Sequence, residues 1–248
     1  ATATEKTATA PEKTAKAQGK AAQGPQSPKS GILATGQSIN AGSRKLTVRR
    51  HLSSGGEGEL YLVTDSRKEY ALKLYHPGCR TKSQILSPLQ KLNGKGFIAD
   101  IIDFGEDFEL TEYIPEGNAA DTGIKGNAQA ILAITVKTAA ALDRLHKLNI
   151  LHKDIKPANI LIKSRTTWDS VLCDFGISEI LDIDGKCTTV QGRTPIYAAP
   201  EIYTATITLP SGVFVELSTK SDFYSLGMSI LSMWMGEKAF RSQESQMA

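Results

Sequence analysis

Three polar side chains of complementary chemistry lie close together near the middle of the chain. Asp154, Lys156 and Asn159 stand between apolar residues in the segment 151–161. A carboxylate can orient a hydroxyl group, an ammonium can neutralise phosphate charge, and an amide oxygen is a ligand for Mg²⁺. An ordinary polar loop is a poor explanation of this combination, so the segment predicts chemistry on a metal-bound phosphate.

A second carboxylate and an isolated lysine could complete such a site. Asp174 opens an Asp-Phe-Gly triplet 20 residues after Asp154, and Lys73 lies in an otherwise apolar run 15 residues after Gly58. Each signal alone is weak, because a triplet recurs by chance and a lysine on an edge strand is usually a solvated charge. Their order along the chain gives them weight.

A glycine-rich turn precedes the lysine at residues 52–60, which read Leu-Ser-Ser-Gly-Gly-Glu-Gly-Glu-Leu. Glycine lets backbone N–H groups approach a polyphosphate closely. The turn lacks the Gly-Lys-Ser/Thr sequence of a Walker A loop, and it joins two strands, whereas a dinucleotide-binding fingerprint opens a helix. By itself the turn is also compatible with an ordinary hairpin.

The elements that must position these residues change in type along the chain. Five short apolar runs predict a mostly antiparallel sheet, at residues 46–52, 59–63, 69–75, 97–104 and 108–114. Helical spacing then predicts an amphipathic helix over 128–148, from Ile131, Ile134, Thr138, Leu142 and Leu145. Short apolar segments follow at 160–162 and 171–173, and 221–235 reads as an apolar helix. The layout is α+β, with a cleft expected between the two halves.

Charge and composition exclude several classes of protein. The 248 residues carry a net charge of +3, and all of this excess lies in residues 1–43, which hold five lysines and two glutamates. The remainder is balanced, so we expect no nucleic-acid partner. Residues 1–43 contain no aromatic residue and predict a disordered tail rich in Ala, Thr, Lys and Pro. The folded domain is expected at 44–248.

Cysteine usage and hydropathy bear on location. The three cysteines lack any Cys-x-x-Cys spacing, which favours neither a disulfide framework nor a zinc site. The chain shows no signal peptide and no run approaching the ~20 apolar residues of a membrane helix. We expect no membrane association and a cytoplasmic location.

Taken together, the ordered motifs resemble those of the eukaryotic-type Ser/Thr protein kinase family. An Ala-Pro-Glu triplet at 199–201 is similar to the end of that family's activation segment, and 222–227 is similar to the start of its αF helix. The resemblance covers residues 46–240. It implies a bilobal fold, with an N-lobe (44–114) of antiparallel sheet plus an irregular αC helix. The helical C-lobe (115–248) would be truncated after αF.

The resemblance also assigns roles to individual residues. Lys73 would hold the α- and β-phosphates of ATP, and Asp154 would orient the substrate hydroxyl and accept its proton. Lys156 would neutralise charge on the γ-phosphate, while Asn159 and Asp174 would bind Mg²⁺. The remaining nucleotide contacts would be Gly55 and Gly58 over the phosphates, Leu52, Leu60, Ala71 and Leu161 around the adenine, and the backbone of Glu112 and Ile114 beyond the gatekeeper Thr111.

The implied function is ATP- and Mg²⁺-dependent transfer of the γ-phosphate to Ser/Thr hydroxyls of protein substrates. Lys156, together with Thr194, is similar to the Ser/Thr branch of the family rather than the Tyr branch. The alternative is a nucleotide-binding pseudokinase that acts as a scaffold or allosteric module. A small-molecule phosphotransferase is a third reading, disfavoured because Lys156-Pro157 and the triplet at 199–201 indicate a peptide-substrate groove.

The nucleotide site departs from the family pattern in its acidic partner for Lys73. No Asp or Glu occurs between Lys73 and Asp100. We expect Gln84 to take the place of the αC glutamate. Pro88 either breaks or kinks that helix or, with Ser87, begins a short one.

Ser53 and Lys153 are two further departures, replacing the first glycine of the turn and the arginine of the catalytic loop. Loss of the arginine fork weakens any grip on a phosphorylated activation segment. The candidate phosphorylation sites in that segment are Ser178, Thr188 and Thr189.

The C-terminal part also departs from the pattern. The chain ends 26 residues after Asp222, and 202–221 reads as an inserted hairpin before αF. Apolar positions of the αF helix, including Phe223, Ile230 and Trp234, would lack their usual partners. Either the fold is minimal, or a partner chain or a missing segment covers the αF surface.

Overall fold

Six strands form the N-terminal half of the structure. The computed structural model describes residues 32–189, 194–204, 206–209 and 212–241. The six strands are β1 (Ser38–Ala41), β2 (Arg44–Ser54), β3 (Gly58–Thr64), β4 (Glu69–Tyr75), β5 (Ile101–Phe104) and β6 (Phe108–Glu112). They pair antiparallel in the order β1-β2-β3-β4-β6-β5. One face buries alternate residues of the central strands, among them Leu46, Val48, Tyr61, Val63, Tyr70 and Leu72.

Strand β1 corrects the predicted boundary of the disordered tail. Residues Ser38–Ala41 pair with Arg44–Thr47 of β2, and the buried Leu33 donates its N–H to the hydroxyl of Tyr61 at 3.2 Å. The prediction of disorder is therefore wrong for residues 32–43, while residues 1–31 lie outside the described residues. The strand is short and mostly polar, so its pairing depends on the β2 ladder rather than on an apolar pattern of its own.

A short helix, α1 (Ser83–Leu89), lies between β4 and β5 and continues into a 3₁₀ turn at Gln90–Leu92. Its buried side chains Ile85, Leu86 and Leu89 join the largest apolar core. Pro88 lacks a backbone donor, and the α-helix ends one residue later. The irregular αC helix predicted for this position is confirmed.

The C-terminal half is built on two long helices. Helix α2 (Ala128–His146) starts at Asn127, whose side chain accepts the N–H of Ala130, and α4 spans Thr219–Met235. Two small antiparallel ladders connect them, β7 (Ile150–Leu151) with β10 (Glu179–Ile180) and β8 (Ile160–Ser164) with β9 (Asp169–Leu172). Buried residues of α1, α2 and α4 belong to one apolar cluster, which therefore joins both halves.

The predicted hairpin before the last helix is also confirmed. The short helix α3 (Glu201–Thr204) precedes strands β12 (Thr206–Leu209) and β13 (Gly212–Ser218), which pair with each other. Strand β11 (Lys186–Thr189), from the segment that follows Asp174, adds to the other edge of β13. The inserted hairpin thus pairs with β11, which lies between Asp174 and Thr194 in the chain.

Helix α4 leaves part of its apolar surface open. Phe223 is 47% exposed and Trp234 is 54% exposed, as the sequence pattern predicted. Ile230 differs from the prediction, because it is partly buried and packs against the main core. None of the helices in the described part of the chain is both long and apolar enough to cross a membrane.

Candidate active site

One buried carboxylate anchors the backbone of the segment that carries Asp154. Asp222, in the first turn of α4, is fully buried and accepts the N–H groups of His152 and Lys153, each at 2.9 Å. The same carboxylate contacts Nε2 of His146 on α2 at 2.9 Å. Lys153 lies in the left-handed region with φ of 71°, which costs energy for a non-glycine residue. These contacts fix the segment against both long helices.

The three central residues predicted from the sequence do come together. Oδ2 of Asp154 lies 2.5 Å from Nζ of Lys156 and accepts a hydrogen bond from Nδ2 of Asn159 at 2.9 Å. Oδ1 of Asp154 accepts the hydroxyl of Thr194 at 2.8 Å, and Lys156 donates to that hydroxyl at 2.9 Å. A 3₁₀ turn at Pro157–Asn159 brings the amide back towards the carboxylate.

Lys73 and Asp174 form the second half of the site. Nζ of Lys73 lies 3.0 Å from Oδ1 of Asp174 and 2.8 Å from Oε2 of Glu57. Burial disfavours the charge on Lys73, but the carboxylates of Asp174 and Glu57 outweigh burial and raise the pKa of Lys73. Burial works against the charge of Asp174 too, and the ammonium of Lys73 still lowers the pKa of Asp174. Both groups are held as ions.

Gln84 does not take the place of the missing acid. Its side chain is exposed, and its neighbours Ile85 and Leu86 occupy the buried side of α1. The prediction that Gln84 contacts Lys73 is wrong, because the register of this short helix turns Gln84 outward. The partner is Glu57, in the glycine-rich turn. The prediction for this turn concerned the backbone N–H groups of its glycines and did not include Glu57.

The glycine-rich turn is folded closely against β4. A side chain on Gly58 would place its first carbon 2.2 Å from the carbonyl oxygen of Leu74, so only glycine fits there. The N–H of Gly55 donates to the carbonyl of Gly58 at 2.9 Å and closes the turn. Packing against β4 therefore requires at least one glycine of the motif, whether or not the turn binds a phosphate.

The residues expected around an adenine lie on strands of both lobes. Ala71 on β4 stands opposite Thr111 on β6, and Leu60 on β3 stands opposite Lys73. Leu161 on β8 packs with Ile114 and neighbouring apolar side chains. Leu52 is half-buried on β2.

The segment that joins the lobes, next to these residues, is pinned through Glu112. The N–H of Glu112 donates to the carbonyl of Asp100 at 2.9 Å. Its carboxylate accepts Nζ of Lys163 at 2.9 and 3.0 Å. The backbone position predicted to meet the adenine is therefore held by residues of β8 and of the segment before β5.

The buried acid Glu109, next to Lys73 in the sheet, was not predicted from the sequence. Glu109 on β6 is directly opposite Lys73 in the ladder, and the hydroxyl of Tyr75 lies 3.3 Å from its Oε2. Burial raises the pKa of Glu109 to about 7, although the positive charge of Lys73 opposes the rise. The signal was present in the sequence as one charged residue between Phe108 and Leu110.

Two of the three predicted phosphorylation sites are buried. The hydroxyl of Ser178 donates to the carbonyl of His152 at 3.1 Å, and Ser178 is fully buried. Thr189 donates to Glu179 at 3.1 Å and accepts from Lys153 at 2.9 Å. Only Thr188 is exposed in this arrangement.

Comparison with known proteins agrees with the fold and the motifs. The family model for the protein kinase domain matches residues 46–248. A probable LRR receptor-like serine/threonine-protein kinase of Arabidopsis thaliana is 31% identical over 207 residues, which is 75% of this chain and 20% of the relative. A leaf rust 10 disease-resistance locus receptor-like protein kinase-like protein of the same plant is 28% identical over 217 residues.

The match to solved structures supports the same architecture. The Cydia pomonella granulovirus kinase PK-1 superposes with a TM-score of 0.62 at 21% identity, over 76% of this chain and 70% of that chain. This chain spans about a third of the length of the first curated relatives that it matches, 32% and 30%. With the kinase domain model matching nearly all of the described residues, the bilobal α+β chain belongs to the protein kinase family.

Proposed function

We propose that this protein transfers the γ-phosphate of ATP, with Mg²⁺, to Ser/Thr hydroxyls of protein substrates. The observation that supports this most is the arrangement around Asp154. Its carboxylate accepts an aliphatic hydroxyl, from Thr194, next to the ammonium of Lys156. The substrate hydroxyl needs the same surroundings: an acceptor for its proton and a cation close by.

Asp154 keeps one acceptor position for a substrate hydroxyl in this arrangement. An ionised carboxylate offers about four lone-pair positions. Thr194, Lys156 and Asn159 occupy three of them. The remaining position is available to orient the incoming hydroxyl and to accept its proton. Thr194 fixes the orientation of the carboxylate, and the pair of Lys156 and Thr194 is what favours Ser/Thr substrates in this proposal.

Asn159 and Asp174 fit the role of Mg²⁺ ligands. The amide nitrogen of Asn159 makes both of its hydrogen bonds to Asp154, at 2.9 Å, so the amide oxygen is turned elsewhere. Within the described residues, no group of three or more His, Cys, Asp or Glu side chains could hold a metal by itself. Mg²⁺ commonly takes one or two protein oxygens together with phosphates, which suits this pair. The ion would neutralise charge on the phosphates of ATP.

The remaining nucleotide contacts belong to the same proposal. Lys73 would bind the α- and β-phosphates, and the turn with Gly55 and Gly58 would cover them. The adenine would lie among Leu52, Leu60, Ala71 and Leu161, with its polar edge on the backbone of Glu112 and Ile114. The division into an N-lobe up to residue 114 and a C-lobe from residue 115, a cover for the exposed face of α4 and a cytoplasmic location stay predictions.

The test is transfer of labelled γ-phosphate from Mg-ATP to a generic basic protein and to the chain itself. The wild type is compared with Asp154→Asn and with the matched control Asp143→Asn, which alters an exposed carboxylate on α2. We expect phosphoserine or phosphothreonine from the wild type and from the control, and at most about a hundredth of that labelling from Asp154→Asn.

Two results would contradict the proposal. Equal labelling by the wild type and by Asp154→Asn would remove Asp154 from the chemistry. Stabilisation by Mg-ATP in a thermal-shift assay, without transfer by the wild type, would identify a nucleotide-binding module that does not catalyse.

A further inference from the structure

Lys73 cannot obtain a carboxylate from helix α1. Residues 74–99 contain no Asp or Glu. The side chains that α1 directs inward, Ile85, Leu86 and Leu89, are apolar and belong to the main core. The side chain of Lys73 is only 19% exposed, and a partly buried ammonium needs a fixed anionic partner to hold a defined position.

Glu57 is placed to be that partner. Its Oε2 lies 2.8 Å from Nζ of Lys73, and its backbone is held in place because the N–H of His76 donates to the carbonyl of Glu57 at 2.8 Å. This bond lies one residue beyond the end of β4, the strand that carries Lys73. The acid and the lysine are thus fixed to the same strand.

The space beside the pair has the shape that this contact requires. A first side-chain carbon on Gly176 would lie 2.0 Å from Oε2 of Glu57 and 2.9 Å from Nζ of Lys73. The glycine that follows Asp174 and Phe175 therefore leaves room for the ion pair. The bond from His76 fixes the backbone of the turn, and Gly176 leaves the space that the carboxylate of Glu57 occupies.

We propose that Glu57 is a positioning residue for Lys73, filling the role that the sequence assigned to the helix. The inference rests on the proposed nucleotide site. Because Asp174 would bind Mg²⁺ when Mg-ATP is present, Glu57 is the acid that keeps Lys73 in place. In this proposal the glycine-rich turn, rather than α1, sets the position of Lys73.

Two other acids lie close enough to serve as comparisons. Glu109 is buried opposite Lys73 and contacts Tyr75, but among the described residues no ion pair joins it to a lysine. Glu59, in the same turn as Glu57, contacts other groups instead of Lys73. Its Oε2 accepts the hydroxyl of Ser54 at 2.6 Å and lies 2.7 Å from Nε2 of His51. Its removal disturbs the turn without removing the partner of Lys73.

The test is a double-mutant cycle on Mg-ATP affinity, measured by isothermal titration calorimetry. The proteins are the wild type, Glu57→Gln, Lys73→Met and the double variant. We expect Glu57→Gln to weaken binding about tenfold, which corresponds to about 1.4 kcal/mol, and to cause no further loss in the Lys73→Met background. The same cycle on the free energy of unfolding without nucleotide keeps the coupling measurable where Lys73→Met binds too weakly.

The controls separate an effect through Lys73 from a general one. Glu59→Gln should change affinity equally in both backgrounds, and Gln84→Ala should leave affinity and transfer unchanged. Glu57→Asp, which keeps the charge on a shorter side chain, should bind Mg-ATP more tightly than Glu57→Gln.

Three results would overturn the inference. Tighter binding by Glu57→Gln would mean that Glu57 competes with the phosphates for Lys73. An equal loss in both backgrounds would mean that Glu57 acts without Lys73, and coupling of Glu109→Gln in place of Glu57→Gln would assign the role to Glu109. If the wild type transfers phosphate but Glu57→Gln and Lys73→Met show no coupling, this inference is wrong and the proposed function stands. A wild type that binds Mg-ATP without transfer defeats the proposed function and leaves the cycle valid.

Discussion

The buried carboxylate of Glu109 should make the stability of the protein depend on pH in a defined direction. Its pKa is raised from 4.5 to about 7, chiefly by burial. The charged and titratable groups that face it are Lys73 and Tyr75 on β4, Asp174, and Glu57 in the turn. Since the folded protein holds this proton more tightly than the unfolded chain, stability is full below about pH 4.5. It is lost as the pH rises through 7.

The expected size follows from the difference between the two pKa values. A shift from 4.5 to about 7 corresponds to about 3 kcal/mol, at 1.36 kcal/mol per unit. Glu109→Gln removes the ionisation and keeps an acceptor for the hydroxyl of Tyr75. The variant should match the wild type near the unfolded pKa and exceed its free energy of unfolding by about 3 kcal/mol at about pH 8.

The assay is urea denaturation of the wild type and Glu109→Gln in buffer without Mg²⁺, at several pH values from about 4.5 to 8. Glu69→Gln, which neutralises an exposed carboxylate on β4, is the matched control and should show no comparable dependence. A difference between Glu109→Gln and the wild type that does not change with pH would refute the reasoning. So would a variant that is less stable than the wild type at pH 8.

Three further predictions concern the anchoring of the site. Asp222→Ala leaves three donors without their buried acceptor and should lower the free energy of unfolding by about 3–5 kcal/mol, measured by urea denaturation. Gly58→Ala should lower the Tm and weaken Mg-ATP binding, because its methyl group meets a β4 carbonyl. Gly56→Ala, which meets no described atom within 4 Å, should change neither quantity. Thr194→Val loses the hydroxyl that orients Asp154 and should lower kcat about tenfold, with KM for ATP little changed. Steady-state kinetics with equal kcat would contradict that role.

The central residues of the site could be predicted because their relation is local. Asp154, Lys156 and Asn159 lie within six residues, and a single 3₁₀ turn is enough to bring them together. The sheet and the two long helices could be predicted from apolar runs and helical spacing, and the buried cores confirm them. In these places spacing along the chain decides spacing in the structure.

The partner of Lys73 could not be predicted in this way. Glu57 reaches Lys73 because a hairpin turn folds back on β4. Gln84 misses Lys73 because the register of the short helix α1 turns Gln84 outward. Asp222 was placed on its helix, but its hold on the backbone of His152 depends on how α4 meets α2. These contacts arise from packing between elements that are distant in the chain, and local sequence patterns do not predict such packing.

The rate of phosphate transfer by Asp154→Asn tests the central claim most directly. It is measured in a single turnover at saturating Mg-ATP, beside the wild type and the exposed control Asp143→Asn. We predict a rate lower by about 10²–10⁴-fold, the range for loss of a general base, with Mg-ATP affinity and the free energy of unfolding retained. A rate equal to that of the wild type would contradict the assignment of Asp154, and with it the proposed mechanism.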